Sequence, residues 1–209
     1  MGITVSFFAF GQSDALSLIA SLIGVTSLIF NAKANPIGQV LMIIFSIMYG
    51  IISFSFSYYG EMITYLGMTM PMAVTALVTW LKNPYKGNKS EVQVNKLSVK
   101  ETAFMIFLTV LISTFFYFIL KMLGTANIIP GTISVATSFA AAYLTFRRSA
   151  YFAFAYALND VILIFLWTLA AYQNLKYISV IVCFAAFFVN DIYGFVNWKR
   201  IKKRQSVKN

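Results

Sequence analysis

The sequence has no histidine and a single cysteine, Cys183. The first absence removes histidine-based nucleophilic triads and every histidine metal site, HExxH included. The second rules out an intrachain disulfide and a four-cysteine centre. Acidic residues are scarce: 6 Asp and Glu against 16 Lys and Arg. Charged residues make up 11% of the chain, whereas a soluble domain is about a quarter charged. Of the 209 residues, 60% are hydrophobic and 17% aromatic, with a mean hydropathy of +0.79. That much apolar surface needs lipid as its solvent. An unpaired backbone amide in lipid costs several kcal/mol, so spanning segments are helices or closed barrels. Period-2 alternation is absent, and the expected class is an all-α integral membrane protein.

Runs long enough to cross ~30 Å of hydrocarbon recur along the chain. They predict seven transmembrane helices, at 15–30, 36–58, 62–80, 103–123, 128–145, 151–171 and 177–198. Phe7, Phe8 and Phe10 extend the short first span as an interfacial anchor, and Asp14 is placed to cap it. No charged n-region or small-residue cleavage site precedes it, so no signal peptide is expected. Pro36 suits the first turn of span two, and Pro71 predicts a kink in span three.

The net charge of +10 does not point to nucleic acid, because the cations are interleaved with the spans. Lys33 lies between spans one and two. Lys82, Lys86, Lys89, Lys96 and Lys100 lie between three and four, and Arg147 and Arg148 between five and six. Lys199, Arg200, Lys202, Lys203, Arg204 and Lys208 follow span seven. All 14 share one side, and only Lys121 and Lys176 lie on the other. The positive-inside rule then places the N-terminus outside and the C-terminus in the cytoplasm. The basic tail is expected against anionic lipid, and Trp80 and Trp198 in the interfacial aromatic belt.

The polar stretch 83–100 divides the spans into three, one and three. Both triplets end in a tryptophan before basic residues, Trp80-Leu81-Lys82 and Trp198-Lys199-Arg200, and Tyr59-Gly60-Glu61 corresponds to Tyr172-Gln173-Asn174. This suggests duplication. A triplet is odd, so one linking helix is needed to give both copies the same orientation. The expected organisation is a single transporter domain: first repeat 15–80, cytoplasmic loop 81–102, linker helix 103–123, second repeat 128–198 and basic cytoplasmic tail 199–209. The two repeats are then parallel, about an axis along the membrane normal.

Asp14, Glu61, Glu91 and Glu101 sit near membrane edges or in the basic loop. Asp160 and Asp191 do not. Each lies within a span and follows an asparagine, as Asn159-Asp160 and Asn190-Asp191. An ionisable group there costs ~2.5–3.5 kcal/mol or more and marks a functional site by default. No Lys or Arg in spans six or seven can neutralise either carboxyl. Three options stay open: a protonated carboxyl, a hydrogen-bonded structural carboxylate, or a carboxylate that meets a cationic or hydroxyl-rich ligand. Helical spacing groups Tyr156 and Trp167 with Asp160, and Tyr193 and Asn197 with Asn190; Gln39 and Tyr49 are further candidates. Aromatic faces attract cations and stack on flat rings, while carboxylates and amides bind hydroxyls. A flat, polar, cationic solute suits this set. Neither a catalytic residue, a metal nor a cofactor is expected.

The runs Leu158-Asn159-Asp160-Val161-Ile162-Leu163-Ile164 and Val189-Asn190-Asp191-Ile192-Tyr193-Gly194-Phe195-Val196-Asn197-Trp198 resemble the PnuC-type vitamin transporters. Met48-Tyr49-Gly50-Ile51-Ile52-Ser53-Phe54 does so too, and the resemblance covers about residues 15–205. It implies a fold similar to the SWEET sugar transporters, a homotrimer, and import of nicotinamide riboside by facilitated diffusion, with a cytoplasmic kinase trapping the vitamin by phosphorylation. Asn159 and Asp160 would bind ribose or amide groups, Tyr156, Trp167 and Tyr193 the pyridinium ring, and Asn190 the amide. The stretch 151–156 has no tryptophan, where family members often carry several, and related members are thought to prefer thiamine or deoxynucleosides. A proton-coupled vitamin importer with Asp160 as the proton site is the first rival. A membrane scaffold or sensor is the rival from another class.

Overall fold

The computed structural model describes residues 15–55, 59–125, 127–172, 175 and 178–207. Phe7, Phe8, Phe10, Asp14 and the Gln173-Asn174 pair lie outside them. Apolar stretches punctuated by short polar turns fold almost entirely as helices. They are α1 (Ala15–Ala32), α2 (Ile37–Ser55), α3 (Tyr59–Thr64), α4 (Met70–Lys82), α5 (Val99–Met122), α6 (Ile128–Phe146), α7 (Phe152–Ala171) and α8 (Ile178–Val207). Among the described residues, six helical stretches are long and apolar enough to cross a membrane, and a shorter apolar one covers Leu18–Ala32.

The kink expected at Pro71 takes the form of a π-helical turn, Tyr65–Thr69, which joins α3 to α4. Proline has no N–H to continue the α ladder. Just before it the ladder widens: the Met70 N–H reaches the Tyr65 carbonyl, and the Thr69 hydroxyl the Thr64 carbonyl at 3.3 Å. This widening turns Tyr65, Met68 and Thr69 inward, in line with Met72 and Ala73 beyond it.

Helix packing closes on itself. α1 packs on α2, α2 on α4, α4 on α6, α6 on α7, α7 on α8, and α8 back on α1. α5 packs on α6 outside this ring and exposes Phe107, Val110, Phe115 and Phe118 to the surroundings.

The turns after α1 and α6 are built alike. Ala34 and Arg148 take left-handed backbone angles, with φ of 58° and 55°. One residue on, the Asn35 Oδ1 accepts from the Ile37 N–H at 2.9 Å and the Ser149 Oγ from the Tyr151 N–H at 3.3 Å. The connection between α4 and α5 is bonded to both turns: Val92 donates to the Ala34 carbonyl at 2.9 Å and Asn95 to the Arg148 carbonyl at 3.0 Å.

That connection departs from a plain loop. It holds a small antiparallel hairpin, β1 (Pro84–Tyr85) with β2 (Asn88–Val92). A capping box between Ser98 and Glu101 then starts α5 at Val99, ahead of the expected 103. α8 continues to Val207, and Arg204 and Gln205 near its end clamp this connection. Gln205 is buried; it accepts from the Val94 N–H at 2.8 Å and donates to Glu91 at 2.9 Å and the Val92 carbonyl at 3.1 Å. Arg204 pairs with Glu91, and Arg147 with Glu101.

Trp80 and Trp198 correct the belt expectation. Both have 0% exposure and sit in one buried cluster with Val92, Phe152 and Ile201. The hairpin connection covers them, and each indole N–H is spent on a backbone carbonyl: Trp80 on Thr145 at 2.9 Å, Trp198 on Asn31 at 2.8 Å.

Candidate functional site

A cavity of about 100 Å³ lies within the ring and reaches from its middle toward the basic end. Its two long walls differ in chemistry. α7 and α8 supply Tyr156, Asn159, Asp160 and Asp191. α2 and the π turn supply Met42, Phe45, Tyr65 and Met68 opposite. No Lys or Arg is among the lining residues.

Asp160 and Asp191 are 4% and 5% exposed and line the same cavity. The Oδ2 of Asp160 has no hydrogen-bond donor among the described residues. The buried Nδ2 of Asn190 likewise has no hydrogen-bond partner among the described residues. Asn159 is tied to α6: its Oδ1 accepts from Ser134 at 3.1 Å and from Thr137 at 2.8 Å.

Near the turn between α1 and α2 a second polar group closes the cavity. Gln39 donates to the Asn31 Oδ1 at 2.8 Å, Asn31 to the Ser27 Oγ at 3.4 Å, and Ser27 to the Gly38 carbonyl at 2.9 Å. Gly38 is required there, since a Cβ would stand 2.2 Å from the Asn31 Oδ1. The Gln39 amide therefore meets the cavity with one N–H already engaged.

Of the residues expected from sequence, Gln39, Tyr156, Asn159, Asp160 and Asp191 line one cavity. Asn190 is not among the lining residues. Tyr49 forms a second layer, its ring 4.5 Å from that of Tyr65 and 5.5 Å from that of Phe45. Trp167 and Tyr193 are not among the lining residues, and Tyr193 is 51% exposed. Asn197 donates to the Ala32 carbonyl at 2.8 Å, a contact between α8 and α1. Asn31, Phe45, Tyr65 and Met68 were missed. Met42 and Phe45 follow Gln39 at steps of three, a stripe the sequence does carry.

Sites for small molecules usually enclose ~300–1,000 Å³. At about 100 Å³ this cavity encloses a few waters, so a nucleoside-sized solute enters only when the walls part. The donor set suits such a solute: amides and carboxyls for N–H and O–H groups on one wall, aromatic rings and thioethers for a flat apolar face on the other. No cluster of three or more metal-ligating side chains occurs among the described residues.

Comparison with known proteins gives a consistent result. A nicotinamide riboside transporter PnuC from Neisseria mucosa is 23% identical over 99% of this chain and 80% of its own length. One of the same name from Haemophilus influenzae is 24% identical over 90% of this chain and 81% of its own. Both are named transporters, not enzymes. A crystal structure of the vitamin B3 transporter PnuC superposes with a TM-score of 0.80 at 22% identity, covering 98% of this chain and 90% of that one, and so shares the fold. The family described as nicotinamide mononucleotide transporter matches residues 14–200, and this chain belongs to it.

Proposed function

We propose that this protein imports nicotinamide riboside across the bacterial inner membrane. The observation that carries the reading is the Asp160 and Asp191 pair, buried in the cavity with no lysine or arginine beside it. A buried charge needs a partner. A pyridinium ring supplies the positive charge, and its flat face suits Phe45 and Tyr65. Ribose hydroxyls and the carboxamide suit Asn159, Asp160 and Asn190, with Tyr156 closing over the ring. Trp167 and Tyr193 stand away from the cavity and contribute to the site only if the walls move.

Transport is facilitated diffusion, drawn inward by a cytoplasmic kinase. The chemistry of the wall supports this pairing: a phosphorylated nucleoside carries negative charge, and the two carboxyls oppose its return. The fold is read as two parallel three-helix repeats, α1 to α4 and α6 to α8, joined by α5 in a 3+1+3, SWEET-like arrangement. The like-built turns at Ala34 and Arg148 support the duplication. Access alternates as one repeat rocks against the other. The exposed apolar face of α5 suits contact between copies in a homotrimer, and the basic end, with the C-terminus, faces the cytoplasm.

Uptake of labelled nicotinamide riboside, thiamine and thymidine into proteoliposomes tests the reading. Saturable entry of nicotinamide riboside, competed by neither of the others, is expected. Saturable entry of thiamine or thymidine instead keeps the transporter and replaces the substrate. Binding without entry of any of them favours a membrane sensor.

A further inference from the structure

The basic end of α8 divides in two directions. Arg204 and Gln205 turn to the hairpin connection. Lys199 and Lys202 turn to the start of α7, and both are half-buried where Arg200 and Lys203 are exposed. The Lys199 Nζ lies 3.9 Å from the centroid of the Tyr151 ring and 5.3 Å from that of Phe195, and the Lys202 Nζ 5.8 Å from Tyr151. A ring face attracts an ammonium but covers only one side of it, and its N–H groups still need acceptors. No carboxylate meets them: among the described residues the ion pairs are Arg147 with Glu101 and Arg204 with Glu91. An apolar face starts where the lysines end. Tyr151, Phe154, Leu158, Val161 and Phe165 are all between 44% and 54% exposed, and their steps of three and four make one stripe of α7. Phe195 of α8 packs on its first turn, with ring centroids 5.9 Å from Tyr151 and 5.5 Å from Phe154. At ~1.5 Å per residue the stripe runs about 21 Å, longer than one leaflet's share of ~30 Å of hydrocarbon.

We propose that this outer edge of α7 and α8 binds an anionic phospholipid: Lys199 and Lys202 hold its phosphate, and an acyl chain lies along the α7 stripe. Tyr151 is a positioning residue, since its ring keeps Lys199 at the end of the stripe. Lipid in the leaflet on the basic side carries the missing negative charge, and each nearby lysine strengthens its attraction. The layout favours lipid over a free anion and over a second copy of this chain. A soluble phosphate has no use for the stripe. A second copy would have to bring a carboxylate to the lysines, and it has none to spare at this end. Glu91 and Glu101 are paired there, Asp160 and Asp191 line the cavity, and Asp14 and Glu61 belong to the opposite ends of the spans. The lipid contact expected of the whole basic tail is thereby narrowed to two of its cations, with α7 as the other half of the site. The inference does not depend on which solute the cavity takes.

The test titrates the purified, detergent-solubilised protein with phosphatidylglycerol, with phosphatidylcholine of the same chains, and with glycerol phosphate, and reads the melting temperature. Wild type, Lys199→Gln/Lys202→Gln and Lys89→Gln/Arg200→Gln are compared. The two variants lose the same charge, and Lys89 and Arg200 are exposed and away from Tyr151. Phosphatidylglycerol should raise the wild-type melting temperature well above the effect of phosphatidylcholine, and glycerol phosphate should leave it unchanged. In Lys199→Gln/Lys202→Gln the half-saturating amount of phosphatidylglycerol should rise about tenfold or more, while Lys89→Gln/Arg200→Gln keeps the wild-type value. An equal loss in both variants means general charge attraction and overturns the site. Equal shifts with the two lipids, or a full shift with glycerol phosphate, overturn the anionic lipid as its occupant. A fall in oligomeric mass in Lys199→Gln/Lys202→Gln does so too, in favour of a second copy. If that variant does not survive purification, Lys199→Gln against Arg200→Gln decides by the same titration.

Discussion

Trp80 and Trp198 meet at the basic end of the helix ring with their ring centroids 5.4 Å apart and their planes at 51°. Each indole N–H reaches a carbonyl in the last turn of a different helix, Thr145 in α6 for Trp80 and Asn31 in α1 for Trp198. α4 and α8 are the closing helices of the two proposed repeats, and α6 and α1 the opening ones. Each tryptophan therefore ties its own repeat to the other. The buried cluster around them includes Val92 from the hairpin and Phe152, which also lines the cavity.

Replacing Trp80 or Trp198 with phenylalanine keeps most of the ring and deletes the N–H. Each single change should cost about 1–2 kcal/mol, the range for a hydrogen bond lost in a buried place. The double change should depart from the sum of the singles, because the two rings are in contact. Thermal melts of the four proteins check this. Melting temperatures that stay put in both singles would remove the two bonds from the account of what holds this end closed.

Gln205 connects the far end of α8 to the hairpin connection. A Gln205→Leu change leaves the Val94 N–H and the Val92 carbonyl without their partner, at a cost of about 1–3 kcal/mol for buried groups left unsatisfied. The visible effect should be local, with proteolytic cutting between 83 and 98 rising before the whole protein melts. Unchanged cutting would mean that the ion pairs of Arg204 and Arg147 hold this segment without it.

Gly38 faces the Asn31 amide with no room for a methyl group. In Gly38→Ala the new Cβ would stand 2.2 Å from the Asn31 Oδ1 and 2.7 Å from the Asn31 backbone nitrogen, so the bonds among Ser27, Asn31 and Gln39 are disturbed and α1 and α2 must also separate. Overpacking of this kind costs about 1–3 kcal/mol. A Gly38→Ala/Asn31→Ala double change should recover part of the loss by making room. Melting temperatures decide it, and a single variant as stable as the wild type would show that the contact relaxes freely.

The membrane class, the spans and the polar wall were legible in the sequence because each follows from a local property. Hydrocarbon penalises any ionisable group on its own account, so Asp160 and Asp191 stood out without knowledge of the fold. The cross-helix relations were not legible. Trp80 and Trp198 sit next to basic residues as belt tryptophans do, and only the folded connection over them makes them core. Gln205 lies in a basic tail and gives no sign of a distant partner. The aromatic candidates show the limit of helical spacing. Trp167 shares a face with Asp160 but stands about two turns farther along α7, beyond the cavity. On α8 it is Asp191, not Asn190, that lines the cavity, and Tyr193 is two positions on, about 200° around the helix and outward. The facing aromatics, Phe45 and Tyr65, come from other helices, one of them through a π turn that no periodicity announces.

Asp160→Asn separates the site from the scaffold. The amide matches the carboxyl in shape and removes one of two adjacent buried acids, so the unliganded protein should melt at the same temperature or higher. Ligand binding should respond in the opposite sense, since an amide nitrogen cannot partner a cation or accept from an N–H. At a concentration of 100 times its dissociation constant, a ligand stabilises the wild type by ~2.7 kcal/mol through mass action. Nicotinamide riboside at the same concentration should leave most of that shift absent in the variant. A variant that melts lower without ligand yet keeps the full shift would make Asp160 a structural carboxylate, and the cation would have to be met by Asp191 alone.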